Sequence, residues 1–140
     1  MNKKIVFILV LILSGCDASD GKEKLNYERF RNDPKLSVMA KAQQKLPLDL
    51  DIRSYRHVHY NSIEADKIRQ LTNIENYLSN DQIKALSISC DNYLECEKQI
   101  EYMLNKLEIN LEGKLILSTI DSPGFALEFK SKGAKYELLK

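Results

Sequence analysis

Hydrophobic residues recur at helical spacing in three stretches of the chain, and this spacing predicts three helices. The first helix runs from Pro34 to Lys45, with Asp33 as its N-cap and proline in its first turn. The second ends at Leu78 and the third at about Leu107. The starts of the second and third helices resemble capping boxes, in which an acid at the third helical position bonds back to the cap amide. The cap and acid are Asn61 and Glu64 in the second helix, and Asn92 and Glu95 in the third.

Other stretches alternate between apolar and polar residues, as strands with one buried face do. Residues 46–60 carry apolar side chains mostly at even positions and polar ones at odd positions, which predicts a long strand or a bent pair. A second strand is predicted from Ile83 to Ser89. Turn signals at residues 121–124 and 131–133 separate three further segments, which favours a closing antiparallel meander. The segments are Leu115–Ile120, Phe125–Lys130 and Ala134–Leu139.

The predicted element order is therefore α-β-α-β-α-β-β-β. This order is typical of an α+β fold, in which a small mixed or antiparallel sheet carries two main helices on one face. The alternation also places Tyr55, His57 and His59 on the polar, solvent-facing side of their strand. An exposed Tyr55, together with Tyr27 and Phe30 nearer the N-terminus, would be available to a protein partner.

The first sixteen residues follow the three-part pattern of a secretory signal. Lys3 and Lys4 precede an apolar run, which is too short to span a bilayer stably because a spanning helix needs about 20 apolar residues. The run ends in Leu13-Ser14-Gly15-Cys16, which resembles the lipobox of bacterial lipoprotein precursors. The resemblance implies a diacylglycerol thioether on Cys16, cleavage before that residue and acylation of its amine. A plain secretory signal with an incidental cysteine and an uncleaved signal anchor are the alternatives.

This interpretation divides the chain into a signal peptide (residues 1–15), a lipid-anchored polar tether (16–33) and a single α+β domain (34–140) facing the periplasm. Asp17 resembles the retention signal that keeps enteric lipoproteins in the inner membrane. Asp17 therefore favours the inner membrane. Ala18 departs from the stronger form of that signal, so the outer membrane is the alternative.

The charge balance argues against nucleic acid as a partner. The chain has 21 basic and 20 acidic residues, and removal of residues 1–15 takes two lysines and no acid. A nearly neutral mature chain has no net field that would attract it to a polyanion.

Lipidation of Cys16 would leave Cys90 and Cys96 as a pair. In an oxidising compartment such a pair is expected to form a disulfide, and two reduced core cysteines are the alternative.

No stretch of the sequence has the pattern of a catalytic motif or a phosphate-binding glycine loop, so we expect neither an enzyme nor a bound cofactor. His57 and His59 are the only histidines and are weak candidates for metal ligands, with Asp49 or Asp51 nearby if the chain bends back. Two solvated histidines are the simpler interpretation, because a metal site needs three or four ligands.

These features favour a lipid-anchored, non-catalytic binding or assembly component of an envelope machine, such as a pilus, secretion or conjugation apparatus. The alternative is a protective lipoprotein that inhibits a toxin or hydrolase, or that acts in immunity or exclusion.

Overall fold

The computed structural model describes residues 33–140. The predicted signal peptide, the lipidation of Cys16, nearly all of the tether, and Tyr27 and Phe30 lie outside the described residues. The chain divides into two compact units between Ile52 and Arg53.

The first unit contains helix α1 (Pro34–Lys45), whose predicted bounds are confirmed. The side chain of Asp33 accepts a hydrogen bond of 2.9 Å from the backbone N–H of Lys35, so the predicted N-cap is also confirmed. Ala42 and Leu46 are buried.

The second unit alternates strands and helices. After a single turn of 3₁₀-helix (Ile52–Ser54) come β1 (Tyr55–Tyr60), α2 (Glu64–Ser79), β2 (Ala85–Cys90), α3 (Tyr93–Lys106), β3 (Leu115–Ser118), α4 (Pro123–Ser131) and β4 (Lys135–Leu138). No helix within residues 33–140 has the length and apolarity needed to cross a membrane.

The four strands form one sheet in the order β1-β2-β3-β4, and every pair is parallel. The fold is therefore mixed α/β, and the predicted mixed or antiparallel sheet is wrong. Parallel crossovers are almost always right-handed, so an order that never reverses places α2, α3 and α4 on the same face of the sheet. The composition of the hydrophobic core is consistent with this placement, because all three helices bury residues against even-numbered strand positions. These core residues include Ile74, Ile100 and Phe129 from the helices, and Val58, Ile88 and Ile116 from the strands.

The predicted meander is wrong because residues 123–131 form helix α4. Ser122 caps this helix by accepting a hydrogen bond from the N–H of Phe125, and Pro123 occupies its first turn. Phe125 and Phe129 are four residues apart and therefore lie on one helical face, where their rings meet edge to face at 5.2 Å. Leu127 falls on the opposite face and is 63% exposed.

The strand predicted over residues 46–60 is confirmed only from Tyr55 onwards. Before it, the N–H of Leu50 bonds to the carbonyl of Pro47 in a turn, and Leu48 is exposed despite its place in the alternating pattern. Helix α2 begins at Glu64 rather than after Asn61. Asn61 instead accepts a bond from the N–H of Ile63 and so shapes the turn that leads into the helix.

Lys114 makes a buried contact that the hydrophobic pattern does not indicate. Its ammonium donates to the carbonyls of Asn80 (2.7 Å), Ile83 (2.6 Å) and Tyr77 (3.3 Å), which lie at the end of α2 and in the connection to β2. These bonds satisfy carbonyls that a helix terminus leaves open. Burial lowers the pKa of Lys114.

Phe129→Ala should lower the free energy of unfolding by about 3–5 kcal/mol, because it leaves a cavity in the core. Leu127→Ala should change it by no more than about 0.5 kcal/mol, because that side chain is largely solvated. Urea unfolding of both variants measures the difference. Equal losses would contradict helix α4, since residues 127 and 129 share a face in a strand.

Candidate functional site

The carboxyl edge of a parallel sheet is where α/β proteins most often bind ligands, in the crevice made where the strand order reverses. In residues 53–140 the order does not reverse, so this topology creates no such crevice. The loops at this edge follow β1, β2 and β3, and they lead into α2, α3 and α4.

Polar side chains connect β1 and β2 on the sheet face opposite these helices. The register places His57 beside Ser87 and His59 beside Ser89. His57 Nδ1 lies 2.6 Å from Ser87 Oγ, and His57 Nε2 lies 3.2 Å from Ser89 Oγ. His59 Nδ1 lies 2.7 Å from the same Ser89 oxygen, and its Nε2 lies 2.7 Å from Asp91 Oδ1. Ser89 is therefore shared by the two imidazoles.

The Tyr55 hydroxyl completes this row, 2.5 Å from Ser87 Oγ. The prediction of an exposed Tyr55 is wrong, because the residue is buried and burial raises its pKa to about 12. The hydroxyl thus keeps its proton at neutral pH and remains a donor. We call the whole row the polar ladder; its members are Tyr55, Ser87, His57, Ser89, His59 and Asp91.

The polar ladder has one consistent direction of hydrogen bonding. The carboxylate of Asp91 only accepts, so His59 Nε2 donates to it and His59 Nδ1, in a neutral ring, accepts from Ser89. Ser89 then accepts from His57 Nε2, and His57 Nδ1 accepts from Ser87. Tyr55 donates to Ser87 at the far end. Every member has a partner, which is the condition for a buried polar network to be stable.

His57 and His59 share a face of the strand, as the alternation predicts. The carboxylate bonded to His59, however, is not one of those that the metal-site hypothesis names. The carboxylate bonded to His59 belongs to Asp91, which follows β2 and is not close in sequence. Among residues 33–140, no group of three or more His, Cys, Asp or Glu is arranged to hold a metal ion.

The order Ser89, His59, Asp91 is that of a nucleophile, a base and the acid that orients the base. However, Ser89 is only 4% exposed and also accepts a bond from His57. A nucleophile needs contact with its substrate, so the geometry favours a structural cross-strand role for Ser89. Asp91, at 57% side-chain exposure, is the member of the ladder that reaches solvent at the carboxyl edge.

Covalent and ionic bonds hold the loops at this edge. Cys90 and Cys96 form a disulfide with a Cα–Cα distance of 6.2 Å, which joins the end of β2 to the first turn of α3. The ammonium of Lys67 on α2 pairs with Glu64 at 2.9 Å and with Glu95 on α3. These two pairings raise the pKa of Lys67, and the Lys67 pairing is the main cause that lowers the pKa of Glu95.

The predicted Asn92 cap is confirmed, since its side chain accepts a bond of 3.2 Å from the N–H of Glu95. The Glu95 carboxylate, expected to bond back to the cap amide, pairs with Lys67 on α2 instead.

The solvent side of the carboxyl edge combines acidic and apolar groups. Glu64, Asp91 and Asp121 are exposed in the three loops or at their helix starts. Ile63 and Tyr93 are exposed between them, at 60% and 52%. We call these five residues the acidic edge. The hydrophobic pattern does not indicate the acidic edge, because this edge joins loops that lie about 30 residues apart in sequence.

Two further groups lie beside this edge. Tyr60 is fully buried, and its hydroxyl is the one buried side-chain polar atom in the described part of the chain without a hydrogen-bond partner. Between α3 and α4, Ser122 donates to Glu97 at 2.5 Å, and Glu97 bonds to Glu101. Burial, followed by the charges of Glu97 and Glu128, raises the pKa of Glu101.

Comparisons with protein-family models, with curated proteins and with solved structures found no match to this chain.

Ser89→Ala should lower the free energy of unfolding by about 1–3 kcal/mol, because it removes the buried hydroxyl that hydrogen-bonds to both partly buried imidazoles. Tyr60→Phe is the matched control, since it also removes one buried hydroxyl, but one that has no partner. It should cost no more than about 0.5 kcal/mol. Urea unfolding at neutral pH measures both, and a loss for Tyr60→Phe as large as for Ser89→Ala would contradict the polar ladder.

Glu101→Gln should raise stability at neutral pH and leave it unchanged below pH 4.5, the ordinary value for this carboxyl. A raised pKa in the folded state means that the protonated carboxyl stabilises the fold, and that this contribution is lost as pH rises through the folded pKa. Glutamine mimics the protonated form and keeps a donor for Glu97. Thermal unfolding across this pH range measures the effect, with Glu108→Gln as the control. A pH-independent difference would contradict the assignment.

Proposed function

We propose that this protein is a lipid-anchored cell-envelope protein that acts by binding another envelope protein, as a non-catalytic component of an assembly such as a pilus, secretion or conjugation apparatus. The anchor is the acylated Cys16 that the lipobox resemblance implies. The observation that supports the binding role is the acidic edge. There, apolar and acidic side chains are exposed on loops that hydrogen bonds, ion pairs and a disulfide restrain.

The bonds within these loops support recognition of a preformed surface. The Cys90–Cys96 disulfide, the Lys67 ion pairs and the bond from His59 to Asp91 each restrict a loop before any partner arrives. A surface that is already ordered loses less conformational entropy on binding, so more of its contact energy appears as affinity.

The composition of the edge indicates the chemistry of the partner. Tyr93 supplies a large amphipathic side chain of the kind that is enriched at protein interfaces, and Ile63 supplies an apolar neighbour. The surrounding carboxylates of Glu64, Asp91 and Asp121 favour a partner whose apolar contact is ringed by lysine or arginine.

Site-specific photo-crosslinking in intact cells tests this function. A photoreactive residue at position 93 of the full-length protein should give one defined product with an envelope protein. Asp121→Lys should reduce the yield about tenfold, because like charges at an interface rim cost on the order of 1–2 kcal/mol. Asp81→Lys is the matched control, since Asp81 is also an exposed acid and lies in the loop between α2 and β2, at the opposite edge.

Cys16→Ser should abolish lipidation and release the protein from the membrane fraction, as judged by intact mass and fractionation. Absence of any product, or equal losses for the two aspartate variants, would contradict the binding role. A lipid mass retained by Cys16→Ser would contradict the anchor. A product with an incoming toxin or hydrolase would assign the protective role in place of the assembly role.

A further inference from the structure

The three helices of the second unit expose a basic and apolar surface on the side away from the sheet. Four large apolar side chains on these helices are between 61% and 79% exposed. Four basic side chains are exposed on the same helices. The apolar residues are Ile68, Leu94, Tyr102 and Leu127, and the basic ones are Arg69, Lys98, Lys106 and Lys130. We call this surface the helical face.

The acidic residues of the same helices are placed differently. Only Glu64, at the first position of α2, is exposed, and it belongs to the acidic edge. The six others are partly buried. They are Asp66, Glu75, Glu95, Glu97, Glu101 and Glu128. Among them, Asp66, Glu95 and Glu97 bond to neighbouring side chains. Arg69 pairs with Asp66 at 3.2 Å, so the positive charge of the helical face comes from its exposed lysines, Lys98, Lys106 and Lys130.

The centre of this surface is a single stripe on α3. Leu94, Lys98, Tyr102 and Lys106 recur every four residues, opposite the buried stripe that contains Ile100. The ammonium of Lys106 lies 4.1 Å from the centre of the Tyr102 ring. Lysine beside tyrosine and leucine is typical of helices that lie in a membrane interface, where the rings and alkyl chains enter the headgroup layer and the ammonium groups stay hydrated.

We propose that the helical face lies on the anionic lipid surface of the membrane that holds the anchor. This inference rests on the lipid anchor of the proposed function. Its support is charge complementarity, because the exposed lysines Lys98, Lys106 and Lys130 match anionic phospholipid headgroups such as phosphatidylglycerol.

The anchor makes a weak surface interaction sufficient. Each lysine near an anionic leaflet contributes about 1 kcal/mol of attraction. Seventeen residues separate Cys16 from Pro34, and at about 3.5 Å each they reach at most ~60 Å. The domain therefore always stays close to the leaflet, at a high effective concentration. With the helical face on lipid, the acidic edge would stay free for a protein partner.

Flotation with lipid vesicles tests the proposal on the mature chain with Cys16→Ser, so that the anchor cannot contribute. The protein should float with vesicles of phosphatidylethanolamine and phosphatidylglycerol and should not float with phosphatidylcholine alone. Added salt should weaken the binding, because it screens the lysines. The double variant Lys98→Gln/Lys106→Gln should reduce partitioning about thirtyfold, from two losses of about 1 kcal/mol each.

The matched control is Lys84→Gln/Lys135→Gln, which removes two exposed lysines outside the helical face and should leave partitioning unchanged. Equal losses in the two double variants, or equal binding to both kinds of vesicle, would overturn the proposal. If the parent protein does not float and the Lys98→Gln/Lys106→Gln variant loses the position-93 cross-link, the helical face would be assigned to a protein partner instead of lipid. A failed cross-link with intact flotation would count against the partner and leave lipid binding standing.

Discussion

The constraint on which this structure depends is a strand order that never reverses. Because each parallel crossover has the same hand, β1-β2-β3-β4 places α2, α3 and α4 together on one side. The core is built on that side, and the polar ladder lies on the other. The same constraint leaves the carboxyl edge without the crevice that a reversal would open. In the described second unit, residues 53–140, the surfaces available to the proposed partners are the acidic edge and the helical face.

The polar ladder and the disulfide act on the same short segment. Asp91 is bonded to His59 across the strands, and it follows Cys90, which is bonded to α3. One side chain and one neighbouring covalent link therefore fix the position of an exposed carboxylate. A group held from two directions keeps one conformation, so the proposed recognition surface would lose little conformational entropy on binding.

The parts of the fold that depend on local chemistry could be predicted from the sequence, and those that depend on distant neighbours could not. The bounds of α1 and the Asn92 cap follow from residues within one helical turn. Phe125 and Phe129 fit a strand period and a helix period equally well, and only the tertiary core, which buries both and exposes Leu127, distinguishes them. Strand direction is also a tertiary property. The polar ladder could not be predicted for a related reason, because the hydrogen-bond partners of the serines in β2 depend on the register between β2 and β1.

Ser89 joins two imidazole rings through one hydroxyl, which has a single hydrogen, so the two rings cannot both accept from it. Because the carboxylate of Asp91 accepts from His59 Nε2, the Ser89 hydrogen goes to Nδ1 of the neutral His59 ring, and His57 must then donate from its own Nε2. The Nδ1 of His57 is left to accept from Ser87, and the Ser87 oxygen accepts from Tyr55. The row is therefore a single electrostatic unit in which each hydrogen is donated in the direction of Asp91, from the amino end of β1 to the carboxyl edge of the sheet.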